Sequence, residues 1–230
     1  MTQKSDSAEA SSATLLSDSQ AIERIFQHID NRTTDVGATV WREPVEHYFD
    51  PARFDAECAL IRRLPSAFCP SSALPEAGSY IARKAAGRPL LVVRGVDGKV
   101  RAFINACRHR GMQVAAGSGC ARAFSCPYHA WTYGLDGRLK GIPGQHGFPD
   151  LDRDQHGLKA VSAIEAGGIV YIQQEGAMAT TPLAPALDYF SMDQRIFDQR
   201  ELTDPANWKL LYETLMEGYH IKSLHQESFY

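Results

Sequence analysis

No stretch of this sequence stays apolar for long. The longest runs, such as Leu90–Val93 and Gly168–Ile172, fall far short of the roughly 20 residues that a membrane-spanning helix needs, which excludes a helical bilayer span. An excess of positive charge is also missing. With 24 Lys and Arg against 27 Asp and Glu the net charge is −3 and no basic stripe stands out, so nucleic acid is not an expected partner. The first dozen residues are rich in Ser and Ala and lack the basic and apolar regions of a secretory signal, so a cytoplasmic location is expected. Cysteine is scarce and odd in number. Five thiols, Cys58, Cys69, Cys107, Cys120 and Cys126, argue against a disulfide framework and for a reducing compartment. No internal repeat is visible at a solenoid period.

What is present divides the 230 residues into four parts. Residues 1–16 carry too little apolar surface to offset the entropy of ordering them and are expected to be a disordered tail. Residues 17–75 read as a helical segment. Ser17 or Ser19 is a candidate N-cap for an amphipathic helix in which Ile22, Ile25, Phe26 and Ile29 recur at helical spacing up to Asn31. A second helix starts at Asp50-Pro51 and is expected to bury Phe54, Cys58 and Ile61 before Pro65 stops it. Residues 76–185 change to short strands, with two hairpins turning at Asp97-Gly98 and Asp136-Gly137, so an antiparallel β module is predicted. Residues 186–230 return to helical pattern, with Leu210, Leu211, Leu215 and Met216 on one helix over 207–220. The fold class expected is α+β.

The β module contains Cys107-Arg108-His109 and, sixteen residues later, Cys126-Pro127-Tyr128-His129. Each loop supplies one thiolate and one imidazole. That stoichiometry suits a two-iron cluster with unlike ends, in which two Cys hold one iron and two His hold the other. A Cys₂His₂ set also suits structural zinc, although zinc sites usually pair Cys with Cys and His with His, whereas both pairs here are mixed. Cys120 has no histidine-containing knuckle and reads as a free thiol, and Cys58 as a core residue. His28, His47, His146 and His156 are expected at the surface.

The runs CRHRG and CPYHAWTYGLDGRL resemble the Rieske domains of ring-hydroxylating and related non-haem iron oxygenases, over roughly residues 40–230. The resemblance implies a [2Fe-2S] cluster on Cys107, His109, Cys126 and His129. Rieske proteins of respiratory complexes carry an extra, disulfide-bonded cysteine in each loop, where this chain has Met112 and Tyr128, and a serine donor in whose place Ala130 stands. The expectation is therefore a cluster without hydrogen bonds to its sulfurs, toward the low end of the Rieske potential range.

Near the C-terminus, Glu217-Gly218-Tyr219-His220 precedes His225 by five residues. Side chains at i and i+5 on a straight helix lie about 140° apart, so the helix must distort or end between the two histidines. The segment resembles the opening of the oxygenase catalytic domain, which implies His220 and His225 as ligands of a mononuclear Fe(II). Glu217 then stands where the family usually has an Asp that links this iron to a Rieske histidine of the neighbouring subunit, making it the candidate catalytic residue. The carboxylate ligand of the family lies downstream of Tyr230, so residues 186–230 are expected to be the start of an incomplete catalytic domain. A reductase or ferredoxin as electron donor, O₂ and a small organic substrate, and a homotrimer with or without β subunits follow as implied partners. The alternative is a Rieske-type ferredoxin, a pure electron carrier, which leaves the segment from Asn207 to His225 without a purpose.

Overall fold

The computed structural model describes residues 16–178, 190, 194–200 and 205–229. The expected disordered tail, apart from Leu16, and the expected boundary at 185 lie outside them. The chain divides into two compact units, residues 1–44 and 45–230.

In the first unit, helix α1 (Asp18–Asn31) begins at a capping box. The Ser17 side chain accepts from Gln20 N–H and the Gln20 side chain accepts from Ser17 N–H, so two otherwise orphaned donors are satisfied. Its apolar stripe is as spaced in the sequence, yet Ile22, Ile25, Phe26 and Ile29 are all more than half exposed.

In the second unit, α2 (Pro51–Arg63) starts where Asp50 caps it, accepting from Ala52 N–H at 3.0 Å, with Pro51 at the first helical position, where no N–H is needed. Cys58 is its buried residue, whereas Phe54, one turn earlier on the same face, is exposed and Ile61 half-buried, although both were expected to be buried. Ten strands follow. The larger sheet has the order β1 (Ser66–Pro70), β10 (Ile169–Gln173), β9 (Ala160–Ala166), β4 (Val100–Ile104), β3 (Arg88–Arg94), β2 (Ser79–Ala85), β5 (Gly117–Cys120), all antiparallel. A smaller sheet joins β6 (Phe124–Ser125), β7 (Thr132–Tyr133) and β8 (Leu139–Gly141). The β module thus begins at Ser66 rather than residue 76, since β1 pairs with β10 in the register Ser66↔Ile172. Five residues ending in proline carry too short a pattern to betray a partner that distant in sequence.

Strand β3 runs between two cores. Leu91 and Val93 join Phe103, Cys107, Phe124, Cys126, Trp131 and Tyr133 on one side, and Leu90 and Val92 join Phe68, Leu74, Val170 and Ile172 on the other. A strand covered on both faces needs apolar residues at successive positions, hence the unbroken Leu90–Val93. Both expected hairpins form, and they are built alike. Gly95 N–H donates to Lys99 O at 2.8 Å and Gly134 N–H to Arg138 O at 2.9 Å, while Asp97 and Asp136 each accept from the backbone two residues on. Gly98 and Gly137 supply the positive φ of each turn.

The C-terminal segment is anchored to the same unit. Helix α3 (Trp208–Met216) is capped by Asn207, whose side-chain amide also donates to Tyr48 O at 2.9 Å. Glu57 on α2 accepts from Lys209 Nζ at 2.8 Å and from Trp208 Nε1 at 3.1 Å, and Tyr48 donates its hydroxyl to Glu213 at 2.9 Å. The helix ends at Met216, short of the expected His220, because Glu217 leaves helical geometry at φ −114° and ψ 142°.

Candidate metal centres

Two loops of one design hang from the strands at one end of the β module. In the first, Cys107 O accepts from Gly111 N–H and Cys107 N–H donates to Met112 O, both at 2.8 Å. In the second, Cys126 O accepts from Ala130 N–H and Cys126 N–H donates to Trp131 O, both at 2.9 Å. Each cysteine therefore opens a turn closed by a left-handed residue four positions on. Glycine fills that position in the first loop (φ 75°), and alanine, at a steric cost, in the second (Ala130, φ 55°). Both thiols are buried in the same core.

The two imidazoles come together as well. The rings of His109 and His129 lie 4.6 Å apart between centroids. They are not equivalent. His109 is half-buried, stacked at 5.0 Å and 9° on Trp131, with Phe148 edge-on at 6.3 Å, and burial holds its pKa below the usual histidine value. His129 is exposed, with the Tyr128 ring stacked on it at 3.8 Å. The Nδ1 atom of His109 is buried and has no hydrogen-bond partner. Such an atom costs free energy unless something binds it. Two buried thiols, an orphaned imidazole nitrogen and a neighbouring second imidazole are a donor set that a two-iron cluster fits, with two protein donors for each metal. Among the described residues no three His, Cys, Asp or Glu converge on one point.

Tyr133 was not singled out in the sequence. Fully buried, its hydroxyl accepts from Arg108 N–H at 2.9 Å and reaches Cys107 Sγ at 3.2 Å. Burial, and then the Cys107 sulfur, push its pKa well above the usual phenol value, so it remains a donor. This contact is to a cysteine sulfur and was not anticipated; it is separate from the serine donor whose place Ala130 takes. The only sequence signal was a tyrosine on the strand leaving the second loop, two residues after Trp131. Cys120 is exposed on the edge strand β5, its sulfur 3.6 Å from Ala77 O. His146 is exposed as expected, whereas His28, His47 and His156 are half-buried rather than on the surface, His156 edge-on to Trp131 at 6.2 Å.

A second constellation follows α3. The backbone turns at Glu217 and restarts as the short helix α4 (Ile221–Leu224), with His220 at its start and His225 just past its end, which brings the two rings to 5.4 Å. Helix α5 (Gln226–Phe229) comes next. Glu217 accepts from His220 Nδ1 at 2.5 Å and from Tyr219 N–H at 2.5 Å, and the His220 contact lowers its pKa. With Nδ1 so engaged, His220 has Nε2 left for a metal.

Comparison with known families defines the class. Residues 65–161 match the Rieske [2Fe-2S] domain and residues 192–230 match the ring hydroxylating alpha subunit (catalytic domain). The chain belongs to the Rieske non-haem iron oxygenase large subunits, and the cofactors of these two domains are a [2Fe-2S] cluster and a mononuclear iron. Among its relatives, the glycine betaine monooxygenase oxygenase subunit of Chromohalobacter salexigens is 36% identical over 167 residues, covering 67% of this chain and 36% of the relative. The carnitine monooxygenase oxygenase subunit of Escherichia coli is 31% identical over 195 residues, covering 80% and 52%. A crystal structure of the quaternary ammonium Rieske monooxygenase CntA superposes with a TM-score of 0.71 at 29% identity, covering 81% of this chain and 55% of that one. The chain spans between about a third and a half of these curated relatives' length. No helix among the described residues is long and apolar enough to cross a membrane.

Proposed function

We propose that this chain is the electron-receiving part of a terminal oxygenase large subunit acting in the cytoplasm, and that Cys107, Cys126, His109 and His129 hold the Rieske cluster. The observation that carries the assignment is the buried, partnerless Nδ1 of His109, on a ring 4.6 Å from that of His129, in a module whose core holds the two buried thiols. When bound, the cluster supplies one-electron storage. The protein's own contribution is to hold each thiol in a closed turn, donate a hydrogen bond to Cys107 through Tyr133, and keep water from His109 with Trp131 and Phe148.

On the same reading His220 and His225 are two ligands of a mononuclear iron that serves O₂-dependent hydroxylation of a small organic substrate. Glu217 is a positioning residue that fixes the tautomer and ring of His220 and, in an oligomer, lies on the path from His129 of one subunit to His220 of the next. A homotrimer, with or without β subunits, and a reductase or ferredoxin as electron source complete the proposal. A trimethylammonium substrate is the finer reading, supported by Glu217 in place of the family's usual Asp and by relatives named for glycine betaine and carnitine. The anchored segment after residue 205 argues against a plain ferredoxin, which has no use for it.

The test of the first part is metal analysis of the purified chain. Two irons and two acid-labile sulfides, with the spectrum of a Rieske cluster, are expected. Stoichiometric zinc without sulfide overturns it. The second part is tested in the full-length protein with an electron donor, by O₂ uptake with glycine betaine, carnitine and an aromatic acid; uptake with the aromatic acid alone refutes the substrate reading.

A further inference from the structure

The segment that carries the proposed iron ligands is seated without a core. Helix α3 has no buried residue, none of its side chains joins either core, and Leu210, Leu211, Leu215 and Met216 are all exposed. Among the described residues its position is set by polar contacts at two levels. At its first turn the Glu57 carboxylate takes Lys209 Nζ on both oxygens at 2.8 Å and Trp208 Nε1 at 3.1 Å. The Lys209 and Glu57 side chains are only 16% and 17% exposed, a degree of cover that such charged groups rarely have without a partner. Lys209 Nζ also lies 5.7 Å from the centroid of the Tyr48 ring, at the end of the 3₁₀ turn Val45–Tyr48. One turn later Tyr48 donates its hydroxyl to Glu213 at 2.9 Å.

Lys209 and Glu213 stand roughly 6 Å apart along the helix axis, so α3 can neither slide nor pivot without breaking one of the two contacts. From there the contacts continue to the ligands. Glu213 O accepts from Glu217 N–H at 3.1 Å, where the helix ends, and the Glu217 carboxylate accepts from His220 Nδ1. We propose that Glu57 and Tyr48 are positioning residues for the mononuclear iron: they clamp α3, and α3 sets where Glu217 and His220 stand. The inference rests on the assignment of His220 and His225 as ligands. Neither Glu57 nor Tyr48 acts on iron or substrate directly. The ion pair is the more demanding half of the clamp, since removing one partner leaves the other charge covered and unpaired. Precision matters here because a misplacement of about 1 Å, caused far from the chemistry, can cost about 100-fold in rate.

The test uses the full-length protein loaded anaerobically with Fe(II). It reads Fe(II) affinity, the electron paramagnetic resonance signal of the nitric oxide adduct, and amide exchange over residues 208–217 before loading. Glu57→Gln keeps the size of the side chain and one acceptor for Trp208 while discharging the pair. It should weaken Fe(II) binding by about tenfold, the low end of the range for residues that orient a metal's ligands. It should also change the line shape of the nitric oxide signal and speed exchange in the metal-free protein. Lys209→Met should do the same, Lys209→Arg should retain wild-type values, and Glu57→Gln/Lys209→Met should be no worse than either single variant. The cluster's spectrum and midpoint should hold in all of them, since none of these residues lies in its loops. Wild-type affinity and signal in Glu57→Gln overturn the proposal, as does faster exchange with an unchanged signal, the mark of a merely structural contact. Should Glu57→Gln fail to fold, Tyr48→Phe, which removes only the hydroxyl held by Glu213, decides by the same readouts: an altered signal upholds the clamp and a wild-type signal overturns it. Fe(II) binding that survives His220→Ala unchanged is a different failure, that of the ligand assignment, and the inference falls with it.

Discussion

Replacing Tyr133 by Phe deletes one oxygen and keeps a ring that is fully buried, so the substitution isolates the hydroxyl. That oxygen accepts from Arg108 N–H at 2.9 Å and lies 3.2 Å from Cys107 Sγ, to which it donates when the sulfur is a cluster-bound thiolate. A hydrogen bond to a charged acceptor contributes roughly 1.5–3 kcal/mol. The reduced cluster carries one more negative charge than the oxidised one, so the donated bond favours reduction. If about 1 kcal/mol of it distinguishes the two states, the midpoint potential of Tyr133→Phe falls by about 40 mV, since a tenfold change in a one-electron equilibrium is about 59 mV. Stability should fall as well. An acceptor lost from Arg108 N–H costs about 1–3 kcal/mol, and each kcal/mol lowers Tm by roughly 2–4 °C in a protein of this size. The assay is a redox titration followed by electron paramagnetic resonance, with iron and sulfide measured on the same samples. A fully loaded variant with an unchanged midpoint refutes the reasoning and leaves Tyr133 as packing alone.

Cys107→Ser and Cys126→Ser should abolish the cluster spectrum, whereas Cys120→Ser, altering an exposed thiol on an edge strand, should leave it intact; loss of colour in the Cys120 variant defeats the ligand assignment. Ala130→Gly relieves a left-handed alanine and should hold stability within about 1 kcal/mol of wild type with the cluster retained, while Ala130→Val, β-branched at the same φ, should lower Tm measurably; equal Tm values for the two would refute the strain argument. In the full-length protein Glu217→Gln should slow reoxidation of the reduced cluster by substrate and O₂ and weaken iron binding by about 10- to 100-fold, as partners of metal-ligating histidines typically do; normal reoxidation at full iron occupancy would show Glu217 to be a bystander. The Arg101 guanidinium, with the Lys99 N–H, holds the Asp97 carboxyl far below its usual range, so the stability it contributes is complete above the ordinary carboxylate pKa and is lost only as pH falls through the depressed value. Its carboxyl resonance should therefore stay flat through about pH 4, the ordinary aspartate range; an ordinary titration midpoint there would mean the ion pair does not form in solution.

Chemistry that depends on neighbours in sequence was legible before the chain was folded. The mixed Cys and His of each loop, the Asp-Gly turns and the caps at Ser17 and Asp50 each act within a few residues, so spacing alone revealed them. The five-residue spacing of His220 and His225 called for a helix that distorts or ends between them, and α4 does end at Leu224; the break at Glu217, before both, was not called for by that spacing. What the sequence left undecided involves partners far apart along the chain. Strand β1 exists because Ser66 meets Ile172, and Phe54 is exposed because of how α2 packs, not because of its own pattern. Glu57 reaches Lys209 and Trp208 across some 150 residues and thereby fixes α3 to the β module's unit. Tyr133 finds Cys107 from another strand, and Trp131 on the second loop stacks on the histidine of the first. The ligand types were thus set by local sequence. The half-burial of one histidine, the exposure of the other and the hydrogen bond to the Cys107 sulfur were decided by packing, because each needs two distant segments to share one volume.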